Sequence, residues 1–396
     1  MQGFGFHTLA LLTAVGFAGP LLASVPRLRI PVIIGELVAG LIIGKTGFGI
    51  VDDADPTLQL FANIGFALVM FVVGTHVPVR DPGLRSAAPR AVARAVVVGA
   101  VAAALGVGLA TGFGTGHAAL YAVLMASSSA ALALPVIDSL RLQGPQVLSV
   151  TVQIAIADAA CIVLLPLVID IRRAPVAALG GLAIAGCAVG FFLLLRAVDR
   201  RGWRQRMHDY SEKHRVALEL RTNLLVLFAL AALAVSTHVS IMLAGFALGL
   251  VIALVGEPRR LARQLFGITE GFFSPLFFVW LGASLQVREL GSHPKLILLG
   301  LGLGLGGVLA HCAGRLLGQP LTLAILSAAQ LGVPVAAATI GTQEHLLVVG
   351  EASALMFGAL LTIACTSIAG ALAARVQAAA KPDKPAVTDK SATRGT

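Results

Sequence analysis

The stretch VTVQIAIADAACIVLLPLV, residues 150–168, decides how the chain folds. With its flanks it forms an apolar run over 147–169, long enough for a bilayer-crossing helix, which needs about 20 residues. It contains one acid, Asp158, near its centre. A carboxylate at that depth costs at least ~2.5 kcal/mol on insertion scales and marks a functional site by default. Such a group can exchange a proton for a cation, because either neutralises it and an empty charged site is disfavoured. Thr151 and Cys161, at i−7 and i+3, share its helical face, while Ile154, Ala155 and Ile162 make the rest apolar. The alternative is a structural hydrogen bond to a neighbouring helix.

The rest of the chain has the same character. Of 396 residues, 57% are hydrophobic and 12% charged, about half the charged share of a soluble domain. Glycine is abundant (44) and tyrosine scarce (2), as in close-packed membrane helices. Thirteen apolar segments follow: 8–25, 31–51, 58–79, 95–116, 117–137, 147–169, 174–195, 222–237, 239–256, 265–287, 296–314, 319–343 and 352–374. The expected fold is therefore an all-α polytopic membrane protein. Residues 1–380 are its transmembrane domain and 381–396 a disordered cytoplasmic tail. The opening MQGFGFHTLALLTAVGFAGP reads as a retained first span, since it lacks a basic n-region and a cleavage site.

The net charge of +10 would suggest nucleic acid in a soluble chain, but here the basic residues lie between apolar runs. With the N-terminus outside, 24 of the 29 Lys and Arg fall on the inner side and five outside. That asymmetry predicts thirteen spans, a cytoplasmic C-terminus and an inner-membrane location. The cysteines, 161, 187, 312 and 365, lie in apolar segments without metal spacing. No GxGxxG follows a strand, so no built-in nucleotide-binding domain is expected, and no cofactor is implied.

An internal repeat is visible. LVAGLIIG (37–44) matches MLAGFALG (242–249), and MFVVG (70–74) is echoed at a similar offset by FFVWLG (277–282). An offset of seven helices inverts the second copy, so spans 1–6 and 8–13 read as two inverted six-helix repeats, an arrangement common in secondary transporters. Broken helices are expected at corresponding positions. Span five has MASSSAALALP (125–135) and span twelve SAAQLGVPVAAAT (327–339). Ser127, Ser128, Ser129, Gln330 and Thr339 offer oxygen ligands there, since hard cations prefer oxygen. Two small-residue packing faces with a proline kink are the competing reading. Glu36 is placed near the inner end of span two, solvated or facing headgroups as readily as functional. Glu270 is expected to pair with Arg263. His311 reads first as a hydrogen-bonded histidine and second as a proton-titrating group.

The chain resembles the sodium/hydrogen-exchanger domain of the second large branch of monovalent cation:proton antiporters, the Kef-like group. The resemblance rests on PVIIGELVAGLIIG (31–44), ANIGFALVMFVVG (62–74), ASSSAALALPVI (126–137), IADAACIVLLPL (156–167), MLAGFALGL (242–250), SPLFFVWLGASL (274–285) and SAAQLGVPVAAATIG (327–341). It implies a homodimer held by spans 1–3 and 8–10. It also implies a mobile core of spans 4–6 and 11–13, with crossed discontinuous helices five and twelve, moving like an elevator. Asp158 falls on the family's ion-binding aspartate, and Ser128 and Ser129 on its small hydroxyl positions. Three positions depart from the pattern: Ala157 precedes the aspartate, Gly332-Val333 replaces a Gly-Glu pair, and Gly306 or Gly307 stands where a basic residue is frequent. A single carboxylate suggests one-for-one exchange. The expected function is antiport of Na+ or K+ against H+ by alternating access, not an enzymatic activity. The alternatives are a K+ efflux transporter gated by a separate subunit, and a non-transporting sensor or scaffold on the same fold.

Overall fold

The computed structural model describes residues 5–25, 32–77, 79, 80, 82–170, 172–202, 206, 210, 211, 213, 214, 216–256, 259–285, 288 and 294–379. The expected tail, 381–396, lies outside them. Regular structure among the described residues is entirely helical. The helices are α1 Phe6–Gly16, α2 Ala18–Ala23, α3 Val32–Ile43, α4 Pro56–Thr75, α5 Leu84–Phe113, α6 Ala118–Ala126, α7 Ala130–Ser139, α8 Pro145–Ile169 and α9 Ala174–Arg200. They continue with α10 Leu218–Ser236, α11 Ile241–Val255, α12 Arg259–Ile268, α13 Ser274–Ser284, α14 Pro294–Cys312, α15 Leu321–Leu326, α16 Gly332–Gln343 and α17 Glu351–Ala379. A single π-helical turn, Thr269–Phe273, joins α12 to α13. Each of the thirteen apolar segments coincides with one helix or a consecutive pair. Ten reach crossing length and apolarity, and α3, α11 and α16 are shorter apolar helices.

Local chemistry explains the short α3. Its apolar run extends to residue 51, yet the helix stops at Ile43, because a glycine-built turn folds the chain back. Phe48 N–H donates to the Ile42 carbonyl (2.8 Å) and Gly49 N–H to the Gly44 carbonyl (2.8 Å). Gly49 sits at φ +64°, which glycine adopts without strain.

The two AGxxxG motifs do equivalent work. On α3, a Cβ at Gly40 would lie 2.1 Å from the Val279 carbonyl oxygen of α13. On α11, a Cβ at Gly249 would lie 2.2 Å from the Phe71 carbonyl oxygen of α4. Small residues thus let backbones touch backbones. The matched segments exchange partners: span two packs on span ten, and span nine on span three.

The helices pack as two groups. One contains α1–α4 and α9–α13, the other α5–α8 and α14–α17. They meet where α7 lies against α4, and α8 against α9 and α11. Large apolar side chains such as Val96 and Val107 on α5, Leu179 and Leu182 on α9, and Leu305 and Leu309 on α14 point outward. A surface of this kind is compatible with acyl chains rather than water.

Candidate ion-binding site

The span-five segment is interrupted between α6 and α7 by Ser127, Ser128 and Ser129. Ser127 (φ −70°, ψ 144°) and Ser129 (φ −111°, ψ 107°) are extended. The span-twelve segment is interrupted between α15 and α16 by residues 327–331. A run of small hydroxyl residues competes for backbone hydrogen bonds, and Gly332 and Pro334 weaken the helix after the second gap. The freed backbone groups find each other. Ser129 N–H donates to the Ala329 carbonyl (2.6 Å), and the Ser128 hydroxyl donates to the Ser327 carbonyl (2.7 Å). Gln330 N–H donates to Thr362 Oγ1 of α17 (3.1 Å). The interruptions therefore cross, as irregular backbone in a membrane interior must if its polar groups are to be satisfied.

Asp158 lies at this crossing and is 2% exposed. Its Oδ2 accepts the N–H of Ala130, the first residue of α7, at 2.9 Å. No side chain of its own segment caps α7, so the α8 carboxylate takes that place, where the helix dipole favours negative charge. Oδ1 has no hydrogen-bond partner among the described residues, and none of their ion pairs involves Asp158. The carboxylate is thus held by a backbone amide alone, with one oxygen left for a proton or cation.

The other sequence-derived candidates sort by distance from this point. Ser127, Ser128 and Ser129 are all buried at the crossing. His311 is fully buried, its Nδ1 3.0 Å from Ser327 Oγ, so it braces the second interruption rather than touching Asp158. Gln330 contributes its backbone N–H, and its side-chain Nε2 has no partner. That amide occupies the space beside Gly307, where an added Cβ would be 2.6 Å away, and Met125 Sδ fills the space beside Gly306 at the same distance. The position of the missing basic residue is therefore closed by neighbours. Thr151 lies two turns from Asp158, about 10 Å along the axis, too far to share a small ion with it. The side chain of Thr339 lies outside the described residues.

Glu36 does not face headgroups. It is 3% exposed and lines a cavity of about 330 Å³ between the two helix groups, together with Glu270, His76 and Asp138. Among the described residues no ion pair joins Glu270 to Arg263. The cavity extends to Ala131 and Leu134 of α7, so it ends one residue from the amide that holds Asp158.

Several buried polar groups escaped the sequence reading, Gln153 and Glu351 among them. Gln153 on α8 is 1% exposed with neither side-chain atom partnered, and its place in an apolar run was a usable signal. Glu351, fully buried at the start of α17, accepts Tyr121 Oη–H (2.6 Å) and lies 2.8 Å from His117 Nδ1. Its partners lie 230 and 234 residues away, and no spacing rule connects them.

A multi-pass helical bundle with a buried carboxylate at the crossing of two interrupted helices has the architecture of a secondary transporter. The chain belongs to the sodium/hydrogen exchanger family, whose transmembrane region matches residues 11–376, as the motif resemblance led one to expect. The family is one of transporters, not enzymes. YjbQ of Bacillus subtilis (strain 168), provisionally named a Na(+)/H(+) antiporter, is 26% identical over 385 residues, covering 91% of this chain and 62% of that one. The glutathione-regulated potassium-efflux system protein KefC of Enterobacter sp. (strain 638) is 26% identical over 309 residues, 74% of this chain and 48% of that one. The chain thus spans about half to three-fifths of these relatives. The sodium proton antiporter MjNhaP1 from Methanocaldococcus jannaschii shares the fold at 17% identity. Its structure at pH 8 gives a TM-score of 0.62 over 94% of this chain and 97% of that one, and its electron-microscopy structure 0.68 over 95% and 98%.

Proposed function

We propose that the protein exchanges a monovalent cation, Na+ or K+, for H+ across a cell membrane, with Asp158 as the shared carrier. The observation that carries this reading is the buried carboxylate with one free oxygen at the crossing of the two interruptions. A proton or a cation satisfies it and both cannot, so loading one expels the other. The Ser128 and Ser129 oxygens and the carbonyls freed by the interruptions supply the hard ligands a cation prefers. With one titratable carboxylate at the crossing, one proton leaves per cation bound, and exchange of Na+ or K+ is electroneutral.

Alternating access follows if the α5–α8 and α14–α17 group moves against the α1–α4 and α9–α13 group, the latter forming the contact of a homodimer. The exchanged packing of the AGxxxG motifs supports two inverted repeats. The charge asymmetry supports an N-terminus outside, thirteen spans and an inner-membrane location. In that orientation the Glu36–Asp138 cavity opens to the cytoplasm. The similarity to KefC favours K+ as the second substrate to try, with gating by a separate subunit. Ala157 and Val333 keep a non-transporting role as the competing outcome.

The test is dissipation of a pH gradient in everted vesicles on adding Na+, K+ or Li+, with wild type beside Asp158→Asn. Cation-dependent dissipation that vanishes in the variant establishes antiport and names the ion. Dissipation surviving in Asp158→Asn removes the carboxylate from its role. No response from folded, inserted wild type favours the sensor or scaffold.

A further inference from the structure

We infer that the groove between the starts of α5 and α8 binds a phosphate-bearing anion. It has a volume of about 650 Å³ and is lined by Ser86 and Arg90 from α5 and by Gly144, Pro145, Gln146 and Ser149 from α8. Among the described residues Arg90 is the only charged one in its lining; it is exposed and makes none of their ion pairs. The N-cap of α8 is Gly144 at φ 116°, with no capping side chain, and Pro145 at N1 has no N–H; the Gln146 and Val147 amides are thus left without an intrahelical acceptor, at the helix end where the dipole favours an anion.

A second, independent feature lies directly behind. Arg94, one turn beyond Arg90, is 1% exposed, yet no carboxylate pairs with it among the described residues. It donates from Nη1 to Ser149 Oγ (3.1 Å) and from Nη2 to Gln146 Oε1 (3.3 Å) and the Leu317 carbonyl (3.2 Å), while Nε has no partner. A buried guanidinium without a counter-charge is costly and favours a nearby anion. Its neutral partners are themselves groove residues. Because Ser149 Oγ and Gln146 Oε1 accept from Arg94, the Ser149 O–H and the Gln146 Nε2–H groups remain as donors for the groove. Arg90, these donors and the α8 amides then suit a tetrahedral oxyanion with several acceptor oxygens. Ser149 is nine residues from Asp158, about 13 Å along α8, so this is a separate site.

The anion can come from solution or from a phospholipid headgroup. The test uses the full chain and Arg90→Gln, an exposed change whose folding is checked by size-exclusion profile. Binding of radiolabelled orthophosphate is measured in detergent against chloride at constant ionic strength. Thermal stability is measured in nanodiscs of phosphatidylcholine with and without phosphatidylglycerol. Specific orthophosphate binding, weakened about tenfold in Arg90→Gln by loss of a charge-assisted hydrogen bond, identifies a soluble anion. Stabilisation by phosphatidylglycerol that Arg90→Gln loses, without orthophosphate binding, identifies a headgroup. Failure of both ligands with wild type, or equal responses from wild type and variant, overturns the inference.

Discussion

Replacing Gly40 by alanine should destabilise the protein far more than the same change on a lipid-facing glycine. The added Cβ would stand 2.1 Å from the Val279 carbonyl oxygen and 2.8–2.9 Å from the Val279 C and Cα atoms. Ordinary contact begins at 3.4 Å, so α3 and α13 must separate locally by about 1.3 Å. The obstacle is backbone, which cannot rotate away as a side chain can. A Cβ at Gly282 would likewise lie 2.1 Å from the Leu37 carbonyl oxygen, so the backbones touch across the same seam and the separation also loosens that contact. Overpacking of this kind costs about 1–3 kcal/mol, and the loss of close approach adds to it. The control is Gly108→Ala on α5, where a Cβ meets nothing within 4 Å. There the change should be neutral or stabilising by up to about 1 kcal/mol, the helix preference of Ala over Gly. The assay is the apparent melting temperature of detergent-purified protein, read by loss of the monodisperse size-exclusion peak. Gly40→Ala melting with Gly108→Ala would refute the packing argument. Gly249→Ala, the counterpart on α11, should fall beside Gly40→Ala.

Other expectations concern polar groups and transport. Ser128→Ala strands the buried Ser327 carbonyl and should cost about 1–3 kcal/mol, lowering the melting temperature and weakening cation-dependent dissipation. Tyr121→Phe removes a hydrogen bond to the fully buried Glu351; leaving a buried acceptor short of its donor costs about 1–3 kcal/mol, and the melting temperature should drop accordingly. Arg173→Gln breaks an exposed pair with Glu344 (2.7 Å) and should leave the melting curve unchanged, as solvent and salt screen such pairs. If one proton and one cation compete for Asp158, the apparent KM for the cation rises about tenfold for each unit of acidification wherever the proton is the dominant occupant. A slope of two decades per pH unit in vesicle assays would require a second coupled proton.

The spans were legible because crossing a bilayer demands a length and an apolarity that few other structures need. The segments around Asp158 and the two small-residue runs announced themselves in the same way, as polar groups where polarity is costly. What local reading placed less well depended on the third dimension. Glu36 looked like an interfacial residue because it follows Pro31 and Gly35, yet packing turns it into the cavity between the helix groups. Thr151 shares a helical face with Asp158, but a two-turn rise separates them. The Glu351, Tyr121 and His117 cluster and the Arg94 network join separate segments that no periodicity relates. Residues 31–51 read as one apolar span, although the glycines after Ile43 end the helix there.

The crossing of the two interruptions brings helix beginnings and helix endings to one level of the bundle. Each beginning has the field of about half a positive charge and each ending about half a negative one. Asp158 rests against a beginning, that of α7, so its empty, ionised form already has part of its charge answered. In the proposed exchange, an arriving cation would meet the opposite condition: the α7 start would repel it, and the α6 and α15 ends would attract it. Neither occupant gains the full attraction that a bare carboxylate in hydrocarbon would offer. The empty form is thereby brought closer in energy to the loaded ones, and under the proposed exchange a carrier that must release its passenger on each side would work best when it holds neither too firmly.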